Sequence, residues 1–212
     1  MNWRSLGLVL GLALAMLLSR PLPGSAKVAH DAQCDPGDAA PGVVGRDGDR
    51  SHGVRPSAAL PPGSFFGYLA YSESFAAGHK GKLTIAFVDT FNLDTTSAAT
   101  YTVELWEADL FGLPTGSAPL ATTTVEHPAG VDFDVEEATF ASPAKVTKGK
   151  EYALVLSVSD TANGVTIGPN NPCAGTFGLS ADGSLGAFEK DPDNHDMAFS
   201  IDIKVKRRHH KH

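Results

Sequence analysis

Short segments in which apolar and polar residues alternate recur along the chain, and turn-forming residues separate them. Seven are rich in β-branched and aromatic residues: KLTIAFVD (82–89), TYTVELWEA (100–108), LATTTVEH (120–127), VDFDVEEATF (131–140), EYALVLSVSD (151–160), GVTIG (164–168) and MAFSIDIKV (197–205). A helical period of useful length is missing from the chain. Because strands at this spacing must bury one face each, the pattern predicts an all-β fold, an antiparallel β-sandwich.

Alternation also predicts which side chains lie between the two sheets. The predicted inward set is Leu83, Ile85, Phe87, Tyr101, Val103, Leu105, Val131, Phe133, Val135, Tyr152, Leu154, Leu156, Val158, Phe199, Ile201, Ile203 and Val205. Trp106 falls on the opposite face unless a bulge after Leu105 turns it inward.

The chain opens with the features of a secretory signal peptide. Arg4 precedes an apolar run at 6–18, and the small residues Gly24 and Ala26 follow with cleavage-site spacing. The run is shorter than the about 20 apolar residues that a membrane-spanning helix needs. We therefore expect residues 1–26 to be removed and the mature protein to be secreted, without a membrane span.

Composition divides the rest of the chain into three parts. Residues 27–63 are rich in Gly, Pro, Ala and Asp and have no apolar period, so we expect a flexible arm. The predicted strands lie within 64–205, which is long enough for one domain with its own core. Residues 206–212 form a basic, histidine-rich tail.

The chain contains two cysteines, Cys34 and Cys173, and both lie outside the leader. Secretion places them where disulfides persist, and one intramolecular pairing is available to them. We therefore predict a disulfide that joins the arm to a late loop. Two free thiols are the alternative if the arm around Cys34 stays disordered.

Charge is unevenly distributed along the chain. The formal net charge is −7, although the C-terminal KVKRRHHKH concentrates basic residues. An acidic body argues against nucleic acid as a partner. The tail is compatible with electrostatic attachment to an anionic cell wall, with metal binding through His209, His210 and His212, or with an inert solubilising end.

Several longer motifs occur in a characteristic order: SESFAAGHKGKLTIAFVD, YTVELWEADLFGLPTGSAPLATTTV, KGKEYALVLS, NNPCAGTFGLSADGS and DNHDMAFSIDI. Together they make residues 70–203 resemble a recurrent domain of secreted bacterial proteins. That domain is a jelly-roll sandwich of the choice-of-anchor or carbohydrate-binding-like type. The resemblance implies this fold and a cell-surface location, and it brings no catalytic residues with it.

Trp106 is the one tryptophan outside the leader, and alternation places it on a polar strand face with Thr102 and Glu104. An exposed indole beside hydrogen-bonding groups is typical of sugar-binding sites. We therefore predict a ligand-binding site formed by Trp106, Glu104, Thr102 and Glu107. The alternative is that Leu110, Phe111 and Leu113 fold back and cover the indole, and it is favoured because a lone tryptophan more often serves packing than recognition.

The loop KDPDNHD (190–196) concentrates oxygen ligands. Asp191, Asp193, Asn194 and Asp196 are of the kind that Ca²⁺ requires, and they predict a weak calcium site. The loop lacks the spacing of an EF-hand. A solvated acidic turn before the last strand is the alternative.

Catalytic signatures such as Gly-x-Ser-x-Gly, His-Glu-x-x-His and a phosphate-binding loop are missing. His195 beside Asp196 is compatible with an esterase triad, and Asp132 with Asp134 is compatible with a glycosidase acid/base pair. Solvated surface residues explain both more simply, so we expect a non-enzymatic protein without a cofactor apart from the calcium considered above.

Two interpretations of the function follow. In the first, the sandwich binds a glycan or another component of the cell envelope. In the second, it is a structural or adhesive surface domain that displays its loops and binds no small ligand.

Overall fold

A computed structural model of the chain describes residues 27–34, 63–65, 67–94, 96–168, 175–193 and 195–205. The predictions for the signal peptide, for the arm between 35 and 62, for Cys173, for Asn194 and for the tail at 206–212 concern residues outside these ranges.

The described residues form fourteen strands and one 3₁₀ turn, Leu185–Ala187. In chain order the strands are β1 (Lys27–Cys34), β2 (Gly63–Phe65), β3 (Ala70–Ala76), β4 (Gly81–Asn92), β5 (Ala99–Ala108), β6 (Pro114–Thr115), β7 (Ala121–His127), β8 (Phe133–Val146), β9 (Glu151–Val158), β10 (Asn163–Gly168), β11 (Phe177–Ser180), β12 (Glu189–Lys190), β13 (Asp196–Met197) and β14 (Phe199–Val205).

The strands build two antiparallel sheets that pack face to face, so the prediction of an all-β sandwich is confirmed. Sheet 1 has the order β1-β14-β4-β10-β13, with β8 pairing β4 and β2 pairing β10. Sheet 2 has the order β12-β11-β3-β9-β5-β6, with β7 pairing β5. Strands β12 and β13 therefore lie at edges of different sheets, although they are neighbours along the chain.

The main core fills the space between the sheets, as alternation requires. Two buried tyrosines of sheet 2 also bond across it: the Tyr71 hydroxyl donates to the Asn163 carbonyl (3.2 Å), and the Tyr101 hydroxyl donates to the Phe91 carbonyl (2.6 Å). Inward positions that the sequence predicted, and that are buried in this core, are Leu83, Tyr101, Val103, Leu105, Tyr152, Leu154, Leu156, Val158, Phe199, Ile201 and Ile203.

Strand β4 departs from the predicted alternation. Opposite β14, Asp202 pairs with Ile85 and Ile203 pairs with Leu83, so Thr84 is an extra residue and forms a bulge. A shift of one residue moves the following side chains to the other face. Ala86 and Val88 consequently enter the core, and the inward placement predicted for Ile85 and Phe87 is wrong.

Strand β8 also has a different inward set from the predicted one. Its core residues are Ala138, Phe140, Ala144 and Val146, whereas Phe133 is exposed and packs on Phe91 with ring centroids 4.8 Å apart. The predicted set Val131, Phe133 and Val135 has the opposite parity and lies outside the core. The apolar residues at the start of this segment are therefore not its buried face.

Strand β1 lies in a segment for which the sequence predicted a flexible arm. Lys27–Cys34 pair with β14, from Lys27 opposite Val205 to Cys34 opposite Phe199. The prolines and glycines of 27–63 begin only at Pro36 and Gly37. A composition averaged over the whole segment therefore concealed a strand at its start.

Across the described ranges, no helix has the length and hydropathy that crossing a membrane requires.

Candidate functional site

Trp106 lies on the outer face of sheet 2, as its parity predicts, but the indole is covered and only 4% exposed. It packs in a second apolar cluster on this face, which we call the outer cluster: Ala70, Trp106, Ala153, Val155 and Phe188, with Ala108, Leu113 and Leu185 at its rim. The prediction of an exposed stacking platform is therefore wrong, and the alternative of a covered indole is correct. Of residues 110–113, Leu113 is the one that packs against this cluster.

The polar residues predicted around Trp106 have partners within the protein. The indole Nε1 donates to Glu104 Oε2 (3.0 Å), which fixes the ring orientation. Glu107 is exposed and forms an ion pair with Lys150. Thr102 is half-buried on the same outer face. The predicted set thus surrounds a packed side chain instead of an open sugar site.

The turn between β5 and β6, residues 109–113, is closely held by its own backbone. Asp109 Oδ1 accepts hydrogen bonds from the backbone N–H groups of Phe111 (2.8 Å) and Leu113 (2.9 Å). The Asp109 N–H in turn donates to the Leu113 carbonyl (2.9 Å). Gly112 has φ +81°, and a Cβ there would lie 2.7 Å from Ser74 Oγ, so the turn sits directly on sheet 2 and requires glycine.

This turn, which we call the display turn, exposes its two largest side chains. Leu110 is 98% exposed and Phe111 is 75% exposed, the highest values among the large apolar residues described. The hydrogen bonds of Asp109 fix the backbone that carries them. The display turn therefore presents a small apolar patch from a rigid support.

Residues 191–195, which we call the corner, connect β12 of sheet 2 with β13 of sheet 1. Asp191, Asp193 and His195 each offer a ligand atom here, and these atoms all lie within 4.8 Å of one another. Asp191 Oδ2 accepts from the His195 backbone N–H (2.8 Å) and lies 2.9 Å from His195 Nδ1. The predicted ligand Asp196 is fully buried at the start of β13 and is not a member of this group.

Glu73 lies beside the corner and was not found from the sequence. It is fully buried on the inner face of β3, between Tyr71 and Phe75. Its Oε2 accepts from the Met197 N–H (3.0 Å) and so connects the two sheets, while its Oε1 is buried without a hydrogen-bond partner. Burial raises the pKa of Glu73 well above its usual range, and the charge of Asp196 raises it further.

The backbone brings Glu73 and the corner to the same edge of the sandwich. The Asp191 N–H donates to the Phe177 carbonyl (2.9 Å), and Phe177 pairs with Glu73 across β11 and β3. Asp191, like Glu73, is buried and has one carboxylate oxygen, Oδ1, without a hydrogen-bond partner. No sequence motif marks Glu73, because alternation in β3 gives it an ordinary core position.

A buried histidine on the other side of the sandwich was also not found from the sequence. His127 Nδ1 lies 2.7 Å from Thr90 Oγ1 and 3.6 Å from a carboxylate oxygen of Glu136, and Nε2 lies 2.9 Å from the Val131 carbonyl. Hydroxyl, imidazole and carboxylate are the groups of a nucleophilic triad. Thr90 and His127 are fully buried, however, so the hydroxyl is out of reach of a substrate.

No protein-family model matches the chain, and a comparison with curated proteins likewise gives no match. The resemblance to choice-of-anchor domains therefore rests on the order of its motifs and stays a prediction.

Proposed function

We propose that the protein is a secreted, non-enzymatic adhesive domain that holds to a protein of the cell envelope through the display turn. The observation that carries this proposal is the pair Leu110 and Phe111, held almost fully exposed on a turn whose backbone is fixed by Asp109. Exposed apolar residues on a rigid support are the usual form of a contact point.

The contacts of Trp106 favour this function over glycan binding. A stacked sugar needs one face of the indole, and the outer cluster covers that ring. The display turn is formed by the residues that directly follow β5, and its exposed side chains Leu110 and Phe111 offer apolar contact. An adhesive contact is therefore better supported than a sugar site centred on Trp106.

Charge favours a protein over an anionic lipid or wall polymer as the partner. The chain has a formal net charge of −7, and Asp109 directly precedes the exposed pair. Negative groups at this position are repelled by phosphate-rich surfaces. A pocket on an envelope protein accepts two apolar side chains without that repulsion.

The burial of Thr90 and His127 supports a non-enzymatic role. Their hydroxyl and imidazole, 2.7 Å apart, are groups of the kind found in a nucleophilic triad, and both residues are fully buried. A hydroxyl–imidazole pair can catalyse a reaction only if a substrate reaches the hydroxyl group. The arrangement is suited to holding β4 and β7 together.

The test is co-sedimentation of the mature protein with envelopes of the organism that produces it. Leu110→Ser together with Phe111→Ser should abolish binding and leave the melting temperature unchanged, because both side chains are in water. Leu93→Ser is the matched control, since Leu93 is also exposed (52%) but precedes β5. Protease treatment of the envelopes should remove binding, whereas lipid vesicles should not bind.

Three results would contradict the proposal. One is that the double variant retains full envelope binding. Another is that Leu93→Ser loses as much envelope binding as the double variant does. The third is that the protein still binds protease-treated envelopes, or binds lipid vesicles. Loss of binding in the double variant together with a lower melting temperature would assign the two side chains to folding.

A further inference from the structure

We propose that the corner binds a divalent cation of the zinc class through Asp191, Asp193 and His195, and that this cation fastens sheet 2 to sheet 1 at their shared edge. The site is separate from the display turn, and it stands or falls independently of the adhesive function.

The backbone brings the three ligands together before any cation arrives. They occupy alternate positions, and their ligand atoms lie within 4.8 Å of one another. The Asp191 N–H is bonded to the Phe177 carbonyl of β11, and β13 begins directly after His195. Asp191 and His195 are therefore each held beside a sheet, which reduces the conformational entropy that these two ligands lose on binding.

Asp191 carries an unfilled interaction that a cation would satisfy. The residue is only 2% exposed, and its Oδ1 is buried without a hydrogen-bond partner. Its other oxygen, Oδ2, already serves the backbone N–H and ring of His195. Burying a carboxylate with half of its acceptor capacity unused is costly, and a bound cation removes that cost.

The ligand types select the class of cation. Calcium takes oxygen ligands, six to eight in the usual case, whereas imidazole is a preferred ligand of Zn²⁺ and related ions. The described residues of the corner offer two carboxylates and one imidazole. Of the other two ligands in the calcium prediction, Asp196 lies outside the group, and Asn194 lies outside the described residues. Three protein ligands together with one water complete the tetrahedral coordination that zinc prefers.

The position of the corner determines what the cation does. Asp191 continues the edge of sheet 2, and His195 precedes the edge strand of sheet 1. A metal held by both residues closes the link between the sheets, and its binding free energy adds to the stability of the folded domain.

The experiment has to exclude the histidine-rich tail. We replace His209, His210 and His212 with Ser, remove metal with a chelator, and titrate the protein with Zn²⁺ by calorimetry. We expect one Zn²⁺ per chain and a rise in melting temperature. Asp193→Asn and His195→Ala should each weaken the affinity about tenfold or more.

The control is His79→Gln, which removes a half-buried histidine outside the group and should leave the affinity unchanged. Zinc X-ray absorption should show imidazole and oxygen ligands and no sulfur, which excludes Cys34 and Cys173. Millimolar Ca²⁺ should leave the melting temperature unchanged.

The proposal is overturned if the chain without tail histidines binds no Zn²⁺, if sulfur appears among the ligands, or if both ligand variants bind as tightly as the parent. Calcium binding that survives His195→Ala would overturn the zinc class. If His195→Ala fails to fold, Asp193→Asn decides, because Asp193 is exposed and its amide keeps the size of the side chain.

Discussion

The display turn and the corner depart from ordinary burial in opposite directions. The display turn places two large apolar side chains in water, Leu110 and Phe111. The corner, with Glu73 beside it, places carboxylates inside the protein and leaves an oxygen of Glu73 and one of Asp191 without a hydrogen bond. The display turn joins two strands of one sheet, β5 and β6, whereas the corner joins edge strands of different sheets, β12 and β13.

The two departures need different compensation. An exposed leucine or phenylalanine loses the free energy of burial but leaves no buried polar group without a partner. The hydrogen bonds that Asp109 accepts are enough to hold the backbone of the turn. A buried carboxylate is intrinsically unfavourable and needs a proton, a cation or a charged partner. The display turn therefore points to a partner outside the domain, whereas the corner points to something bound within it.

The largest effect is expected when the support beneath the display turn is removed. Trp106 is a buried member of the outer cluster, against which Leu113 packs, so Trp106→Ala should leave a cavity and lower the free energy of unfolding by about 3–5 kcal/mol. Urea denaturation measures this loss. Trp106→Phe keeps much of the apolar volume and should lose clearly less.

If Trp106→Ala retains wild-type stability, the outer cluster does not support the turn. If Trp106→Ala loses envelope binding while its stability is unchanged, Trp106 contacts the partner directly.

The sequence predicted the sandwich because alternation survives wherever a sheet has one buried face. It placed Tyr101, Val103 and Leu105 inward and Trp106 outward, and the structure agrees. It failed where backbone geometry changes parity, as at the Thr84 bulge, because no local residue type announces the extra residue.

The candidate sites were harder to predict because they depend on long-range packing. Alternation shows that Trp106 points away from the main core, but it does not show that Leu113 and Phe188 cover the indole. Likewise, the acidic loop was visible in the sequence. The hydrogen bond between the Met197 N–H and the Glu73 carboxylate could not be predicted from the sequence. Glu73 lies more than a hundred residues earlier in the chain and meets Met197 only in the folded protein.

A smaller and pH-dependent effect is expected at Glu73. Its pKa is raised by burial, so the folded state binds this proton more tightly than the unfolded state does. The stabilisation is complete below the unfolded pKa and is lost as pH rises towards the folded pKa, by about 1.4 kcal/mol for each pH unit between the two values. Glu73→Gln should therefore lose less stability than the parent when pH rises from about 4.5 to neutral.

Urea unfolding at several pH values, with chelator present throughout, measures this difference. Gln keeps an oxygen that accepts from the Met197 N–H, so the variant retains the bond between the sheets. Parallel pH profiles for parent and variant would show that Glu73 does not hold its proton in the folded protein.

The smallest effect is expected at Glu107, which has the same side chain as Glu73 but lies in water. It pairs with Lys150, and both side chains are more than two-fifths exposed. Solvent and salt screen such pairs, so Glu107→Gln should leave the urea midpoint and its pH profile indistinguishable from those of the parent. Because the substitution is chemically identical to Glu73→Gln, burial is the variable that separates the two variants. Equal pH profiles for the two variants would mean that net charge, and not the closed edge of the sandwich, governs how this domain responds to pH.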